Sequence, residues 1–187
     1  RLGAANTPSF VRARMNTLCT GSLTLEPQIA AHAEEMFVVL SDPAIYEYEG
    51  EPPQSVQGLR DRFADLETRQ SRNGQEQWLN WVIRLPNTEL IGYVQATVYP
   101  SGRAAIAYEL SSAYWGRGLA RQAVQAMISE LIEQYGILSF SAVLKRENRR
   151  SLGLLQRLGF VFASSAEHAE CDVERDEFLM LRHVQSA

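Results

Sequence analysis

The stretch YWGRGLARQA, from Tyr114 to Ala123, sets two glycines around Arg117 directly ahead of an apolar-periodic segment. Glycine weakens a helix start, and the first turn of any helix leaves backbone N–H groups without internal partners. Two readings are open. Either the glycines serve a tight strand-to-helix turn flanked by solvated arginines, or the bare N–H groups and the positive helix end hold an anion such as a pyrophosphate. On the second reading Gly116 and Gly118 let the backbone approach the ligand closely, while Arg117 and Arg121 add charge on the same turn. Lys145, Arg149 and Arg150 gather at a second strand-to-helix junction, so an acidic chain concentrates cations where a phosphate-bearing ligand would need them. A dinucleotide-binding turn and a P-loop are excluded, because neither G-x-G-x-x-G nor G-K-[ST] is completed.

A second set of side chains could move protons. Glu109 lies within AAIAYEL, and strand alternation puts it on the face opposite Tyr108 and Leu110. A carboxylate there is costly to bury alone, and burial would raise its pKa toward that of a useful general base. An ion-paired or edge-exposed glutamate is the plain alternative. Asn148 opens a short helix, where asparagine is among the best N-caps, and Ser151 follows one turn later on the same face. His168, in the acidic segment EHAECDVERDE, is either a proton relay or a solvated loop histidine. The carboxylates of that segment, with Glu47, Glu49 and Glu51, either steer a cationic amine or form a solvated face.

The elements that must position these groups are legible from periodicity. LTLE, from Leu23, reads as a short strand, and Ile29, Ala33, Phe37 and Leu40 mark a helix stopped at Ser41-Asp42-Pro43. Val56, Leu59, Phe63 and Leu66 mark a second helix. From Trp78 the period becomes two: Leu79, Trp81 and Ile83 alternate with Asn80, Val82 and Arg84, and LIGYVQATVY and AAIAYEL complete three consecutive strands. A broad stripe through Leu119, Ala123, Met127 and Leu131 predicts a long helix that begins near Gly116 and ends at Gly136. SFSAVL, ENRRSLGLLQRL, FVFAS and FLMLRHV then read as strand, helix, strand and strand. The order β, α, α, β, β, β, α, β, α, β, β predicts a mixed α/β (α+β) domain, antiparallel through its middle, in which the segments 116–135 and 148–158 link neighbouring parallel strands. Tyr46, Tyr48, Trp78, Trp81 and Tyr99 are assigned to the core or a groove wall.

Composition narrows the class. At 187 residues and 45% hydrophobic content the chain fits one domain over 23–187, behind an extension over 1–22 that lacks clear periodicity. The longest apolar run, Met36 to Leu40, is far too short to span a bilayer, and no signal-peptide pattern is found. Cys19 and Cys171 have no metal-ligand or disulfide spacing, so no metal is expected and a reducing, cytoplasmic setting is. A net charge of −4 offers no field for nucleic acid.

Together, the element order, IAYELSSAYWGRGLARQAVQAMI and the later ENRRSLGLLQRLGF resemble the GNAT superfamily of acetyl-CoA-dependent N-acetyltransferases, over Leu23 to Val184. Within it YWGRGLA, the Asn-x-x-Ser spacing and DPAIYEYE look like the ribosomal-protein N-terminal acetyltransferase (RimJ/RimL-like) branch. The resemblance implies a GNAT fold, acetyl-CoA as acetyl donor, and direct transfer to a primary amine without a nucleophilic cysteine. It implies that Tyr108, Leu110 and Ser111 hold the pantetheine and carbonyl through N–H groups freed where the central strand splays. The pyrophosphate then falls to Trp115, Gly116, Arg117 and Gly118, followed by Leu119, Ala120 and Arg121. Trp115 stands where Gln or Arg usually opens the loop and is typical of the ribosomal-protein branch. Asn148 would bond the cofactor, Glu109 would serve as base or amine anchor, and Ser151 would donate to the coenzyme sulfur, since Leu155 replaces the tyrosine that many relatives use as acid. The acceptor is expected to be a protein N-terminus, with a small amine such as a polyamine, amino acid or aminoglycoside as alternative. A non-catalytic acyl-CoA-binding module and a homodimer stay open.

Overall fold

The structure is a computed structural model describing residues 14–184. Its strands are β1 (Leu18–Cys19), β2 (Thr24–Pro27), β3 (Gln77–Arg84), β4 (Leu90–Val98), β5 (Arg103–Leu110), β6 (Ser139–Lys145), β7 (Val161–Phe162) and β8 (Glu177–His183). They form one eight-stranded sheet in the order β1-β2-β3-β4-β5-β6-β8-β7. Every pairing is antiparallel except β5 with β6.

Helices cover both faces. On one lie α1 (Ala33–Leu40) and α2 (Val56–Glu67), and on the other α3 (Leu119–Tyr135) and α4 (Arg149–Arg157). This two-sided cover explains why β3 departs from simple alternation. Leu79, Trp81 and Ile83 pack toward α3, while Val82 packs toward α1 and α2, so the strand is buried on both faces. The long stripe of α3 buries Ala123, Val124, Met127, Ile128 and Leu131, and Gly136, at φ +65°, closes the helix by donating its N–H to Ile132. Leu131→Ala would cost about 2–5 kcal/mol through lost burial and the cavity left behind.

Several expectations are corrected. The first helix opens as a 3-10 turn over Ala30–His32, and its buried row is Ala33, Met36, Val39 and Leu40, with Phe37 only half-buried. Helix α3 begins at Leu119 instead of near Gly116, because Gly118 adopts the left-handed region at φ +74° and serves as N-cap. The segment 116–135 does cross between the parallel neighbours β5 and β6. The segment 148–158 does not link neighbours, since β8 lies between β6 and β7.

Two elements carry no periodicity in the sequence. One is the two-residue β1: Met15 is buried, the Trp81 indole N–H donates to the Asn16 carbonyl at 2.9 Å, and Asn16 donates to Glu130 at 2.8 Å. The described part of the segment before Leu23 is thereby packed on the sheet; residues 1–13 lie outside the described residues. The other is the one-turn helix α5 (Ser165–Ala169), closed by a reciprocal Ser164–Glu167 cap, and His168 stands on it instead of in a loop.

Candidate active site

The pairing of β5 with β6 runs only through Arg103↔Ser139, Ala104↔Phe140 and Ala105↔Ser141. Beyond Ala105 the strands part, and the distal half of β5 lies open on that edge. Its other edge is fully paired to β4, up to the Ser111 N–H, which donates to the Ile91 carbonyl at 2.8 Å. Antiparallel pairing turns alternate peptides to opposite sides, so the polar backbone groups of Glu109 face β4 and those of Tyr108 and Leu110 face the gap. Two contacts agree with this. A Cβ on Gly92 of β4 would meet the Glu109 carbonyl oxygen at 2.1 Å, and the Trp115 indole N–H enters the gap to donate to the Leu110 carbonyl at 2.8 Å. Ser111 is therefore corrected: its N–H belongs to the sheet, and Tyr108 and Leu110 alone present N–H groups to the gap.

The gap opens into a cleft of about 130 Å³ walled by β5, β6 and α4. Trp115 closes one side, its ring covered at 3.4 Å by the Arg150 guanidinium. At the mouth lies the glycine loop. Gly116 and Gly118 both stand at φ +74°, where side chains are strained, and a Cβ on either would point into open space. No side chain caps α3, so the N–H groups of Leu119, Ala120 and Arg121 have no side-chain acceptor. Arg117 stacks on Tyr114 at 5.3 Å beside this bare helix end.

The second junction differs. Asn148 caps α4 by accepting the Ser151 N–H at 3.0 Å. Lys145, read above as part of the cation cluster, is held by Glu174 at 2.6 Å, Glu177 at 3.0 Å and Asp176 at 3.2 Å. It ties the segment before β8 to the end of β6 and has no charge to spare for a ligand. The Ser151 hydroxyl lies 2.7 Å from the Tyr108 hydroxyl inside the cleft. Burial pushes the Tyr108 phenol up to about 12, against the hydrogen bond to Ser151. Leu155 is buried in the cleft wall.

Glu109 points to the opposite face of β5, as alternation requires, into a second cleft of about 380 Å³ between the sheet, α2 and the loop after α1. Glu49, Ala107 and Glu109 line both clefts, so the two spaces meet at this carboxylate. Burial pushes the Glu109 carboxyl up to about 7, Glu49 reinforces the rise, and Arg150 opposes it. Tyr93, directly across from Glu109 on β4, is raised by burial. Among the described residues Glu109 makes no ion pair within 4 Å.

Two positioning residues escaped the sequence reading. Asp42, read only as part of a helix stop, accepts the Ala44 N–H at 3.0 Å and the Ser112 N–H at 2.8 Å. It thereby pins the loop carrying Tyr46, Tyr48 and Glu49 to the end of β5. Hydrogen bonding from Ser112, with a smaller share from Ala44, holds its carboxyl below the usual range. Gly92 is the other: no side chain fits between it and Glu109, and a glycine inside a strand pattern is itself a signal of close backbone approach. His168 lines neither cleft, and among the described residues no group of His, Cys, Asp or Glu could hold a metal. No helix among them is long and apolar enough to cross a membrane.

Residues 22–161 match the acetyltransferase (GNAT) domain family. The chain belongs to the GNAT acetyltransferases. A GNAT relative, the "uncharacterized N-acetyltransferase p20" of Bacillus licheniformis, is 30% identical over 149 residues, covering 78% of this chain and 83% of its own. The ribosomal-protein-S5-alanine acetyltransferase of Vibrio fischeri shares the GNAT fold at a TM-score of 0.76 and 17% identity, over 92% of this chain and 98% of its own. A ribosomal L7/L12 α-N-protein acetyltransferase, RimL, solved with coenzyme A, does so at 0.76 and 17%, over 90% and 98%. The GNAT family implies acetyl-CoA as acetyl donor, and the open gap, the uncapped helix end and the two glycines of the loop are groups of the kind such a ligand needs.

Proposed function

We propose that this GNAT domain transfers the acetyl group of acetyl-CoA directly to a primary amine, with a protein N-terminus as the leading acceptor. The observation that carries the proposal is the meeting of the two clefts at Glu109. One cleft ends in groups suited to a thioester and its pyrophosphate, the other is walled by carboxylates suited to an amine, and a carboxyl raised to about 7 stands between them.

Bound acetyl-CoA would supply the activated acetyl group. Gly116, Gly118 and the N–H groups of Leu119, Ala120 and Arg121 hold its pyrophosphate, with Arg117 and Arg121 adding charge. The Tyr108 and Leu110 N–H groups hold the pantetheine and polarise the carbonyl under attack. Trp115 walls the arm, and Asn148 shapes the turn beside it while capping α4. Glu109 anchors the amine and accepts its proton, which needs the carboxylate form and so a pH at or above about 7. With Tyr108 donating to the Ser151 oxygen, the Ser151 hydroxyl is left to donate a hydrogen bond to the sulfur that departs as thiolate, where Leu155 offers no donor. The C–S bond breaks, the amide C–N bond forms, and the amine's proton ends on Glu109.

The ribosomal-protein N-acetyltransferases that share the fold, and the approach to Glu109 past the exposed Gly50 and Glu51, support a polypeptide acceptor. The test is thermal unfolding with acetyl-CoA, followed by thiol release with N-terminal peptides and small amines. A stabilising shift with release is expected. A shift without release from any amine would favour an acyl-CoA-binding module, and no shift would sink the cofactor site.

A further inference from the structure

The acceptor cleft contains a cation that the fold leaves unused. Other arginines around it are paired: Arg60 of α2 reaches Glu34 at 2.7 Å, Arg84 is shared by Glu26 and Glu35, and Arg150 faces Glu47 at 3.7 Å. Nearby carboxylates are occupied too, Glu67 by the Ala30 N–H and Asp61 by Gln57. Arg62 stands two residues beyond Arg60 and lines the cleft with Leu59, Phe63 and Leu66. Among the described residues it has no ion pair or hydrogen bond, although Glu49, Glu51 and Glu109 line the same space. Its charge reaches the cleft's inner surface, easing the ionisation of Tyr46 and Tyr93 against their burial.

The cleft is thus divided. One end, at Glu109 and Glu49, is anionic and adjoins the thioester side. The α2 wall offers a free guanidinium above an apolar floor of Leu40, Leu59 and Phe63. A polycation such as a polyamine would satisfy the first end and be repelled by the second. A molecule with an amine and a carboxylate would satisfy both, because a guanidinium accepts a carboxylate through paired N–H donors.

We propose that Arg62 binds a carboxylate on the acceptor, so that the substrates of this site are amines that also carry a carboxylate. The carboxylate has two possible sources: the α-carboxyl of a free amino acid, or an acidic side chain beside a peptide N-terminus. The inference rests on the N-acetyl transfer reading above.

The test is acetyl-CoA-dependent thiol release with alanine, alaninamide, spermidine and the tripeptide amides Ala-Asp-Ala, Ala-Asn-Ala and Ala-Lys-Ala. The wild-type protein is expected to prefer a carboxylate-bearing acceptor over its neutral counterpart by about tenfold or more in kcat/KM. Alanine over alaninamide would name the free amino acid, and the aspartyl over the asparaginyl peptide would name the peptide. Arg62→Ala should abolish the preference through KM with kcat retained, Arg62→Lys should keep part of it, and Arg62→Glu should turn it toward the lysyl peptide. An unchanged acetyl-CoA thermal shift verifies that each variant is folded. Transfer that is indifferent to acceptor charge, a preference for spermidine, or a preference that survives Arg62→Ala would overturn the proposal and leave the transferase reading standing. Absence of thiol release from every acceptor would overturn both.

Discussion

Two strand-to-helix junctions stand side by side in this fold, and they solve the same problem in opposite ways. Between β6 and α4, Asn148 caps the helix from within and Lys145 is neutralised by three carboxylates. Between β5 and α3, glycine replaces the capping side chain, the first-turn N–H groups stay without a side-chain acceptor, and the nearest arginine rests on a tyrosine. The first junction is complete without a ligand and serves to place Ser151. The second leaves its first-turn N–H groups open to solvent or to an anion. Arginines and a helix start occur at both, so cation counting cannot tell them apart; what distinguishes them is which backbone and side-chain groups are already satisfied.

Placing a negative charge at the open junction should break this contrast most sharply. Gly118→Asp puts a carboxylate where the phosphate would sit, at a left-handed position (φ +74°) that strains any side chain, and the acetyl-CoA thermal shift should disappear, an affinity loss of about a hundredfold or more. Retention of the shift would show that the bare N–H groups do not bind the cofactor. Next in size is Glu109→Gln, which lies at neither junction. It should lower kcat/KM by about a hundredfold and remove a limb of the pH profile that rises through about pH 7. The same change has a stability signature. The folded carboxyl binds its proton more tightly than the unfolded one, so its favourable contribution is complete below the unfolded pKa and is lost as pH rises through about 7. Glu109→Gln should therefore stabilise the protein at pH 8 relative to pH 4, and equal effects at both values would deny the raised pKa.

At the closed junction the effects should be smaller. Ser151→Ala, and more weakly Tyr108→Phe, should lower kcat by about tenfold with little change in the acetyl-CoA shift. If Tyr108→Phe leaves kcat untouched, the hydroxyl pair is only structural. Asn148→Ala should cost about 1 kcal/mol of stability, read by denaturant unfolding, because it removes a helix cap. A loss of acetyl-CoA binding far beyond that would mean that Asn148 also touches the cofactor.

What was legible in the chain follows the range of the interactions involved. Local signals were read correctly: the period change at Trp78, the stripe of α3, the stop at Gly136, and the opposed faces of Tyr108 and Glu109. The fates of Ser111 and Lys145 were not legible, because they are decided by Ile91 and by residues 174–177, through register and loop return that no local pattern encodes. Strand β1 has two residues and α5 a single turn, too short for a period to show. Nothing in the sequence singles out Arg62 within the second helix, and only the placement of α2 over β4 and β5 makes it a cleft residue. Gly92 carried a signal that could have been used, since its place inside LIGYVQATVY already marked a crowded crossing.

The short run of pairing between β5 and β6 has one more consequence. Because that seam opens after Ala105, a single strand walls two clefts at once, and on the proposed transfer reading the donor would reach it from the α4 side and the acceptor from the α2 side. On that reading neither visitor would have to cross the other's path, and the spent donor and the finished amide would leave by different doors.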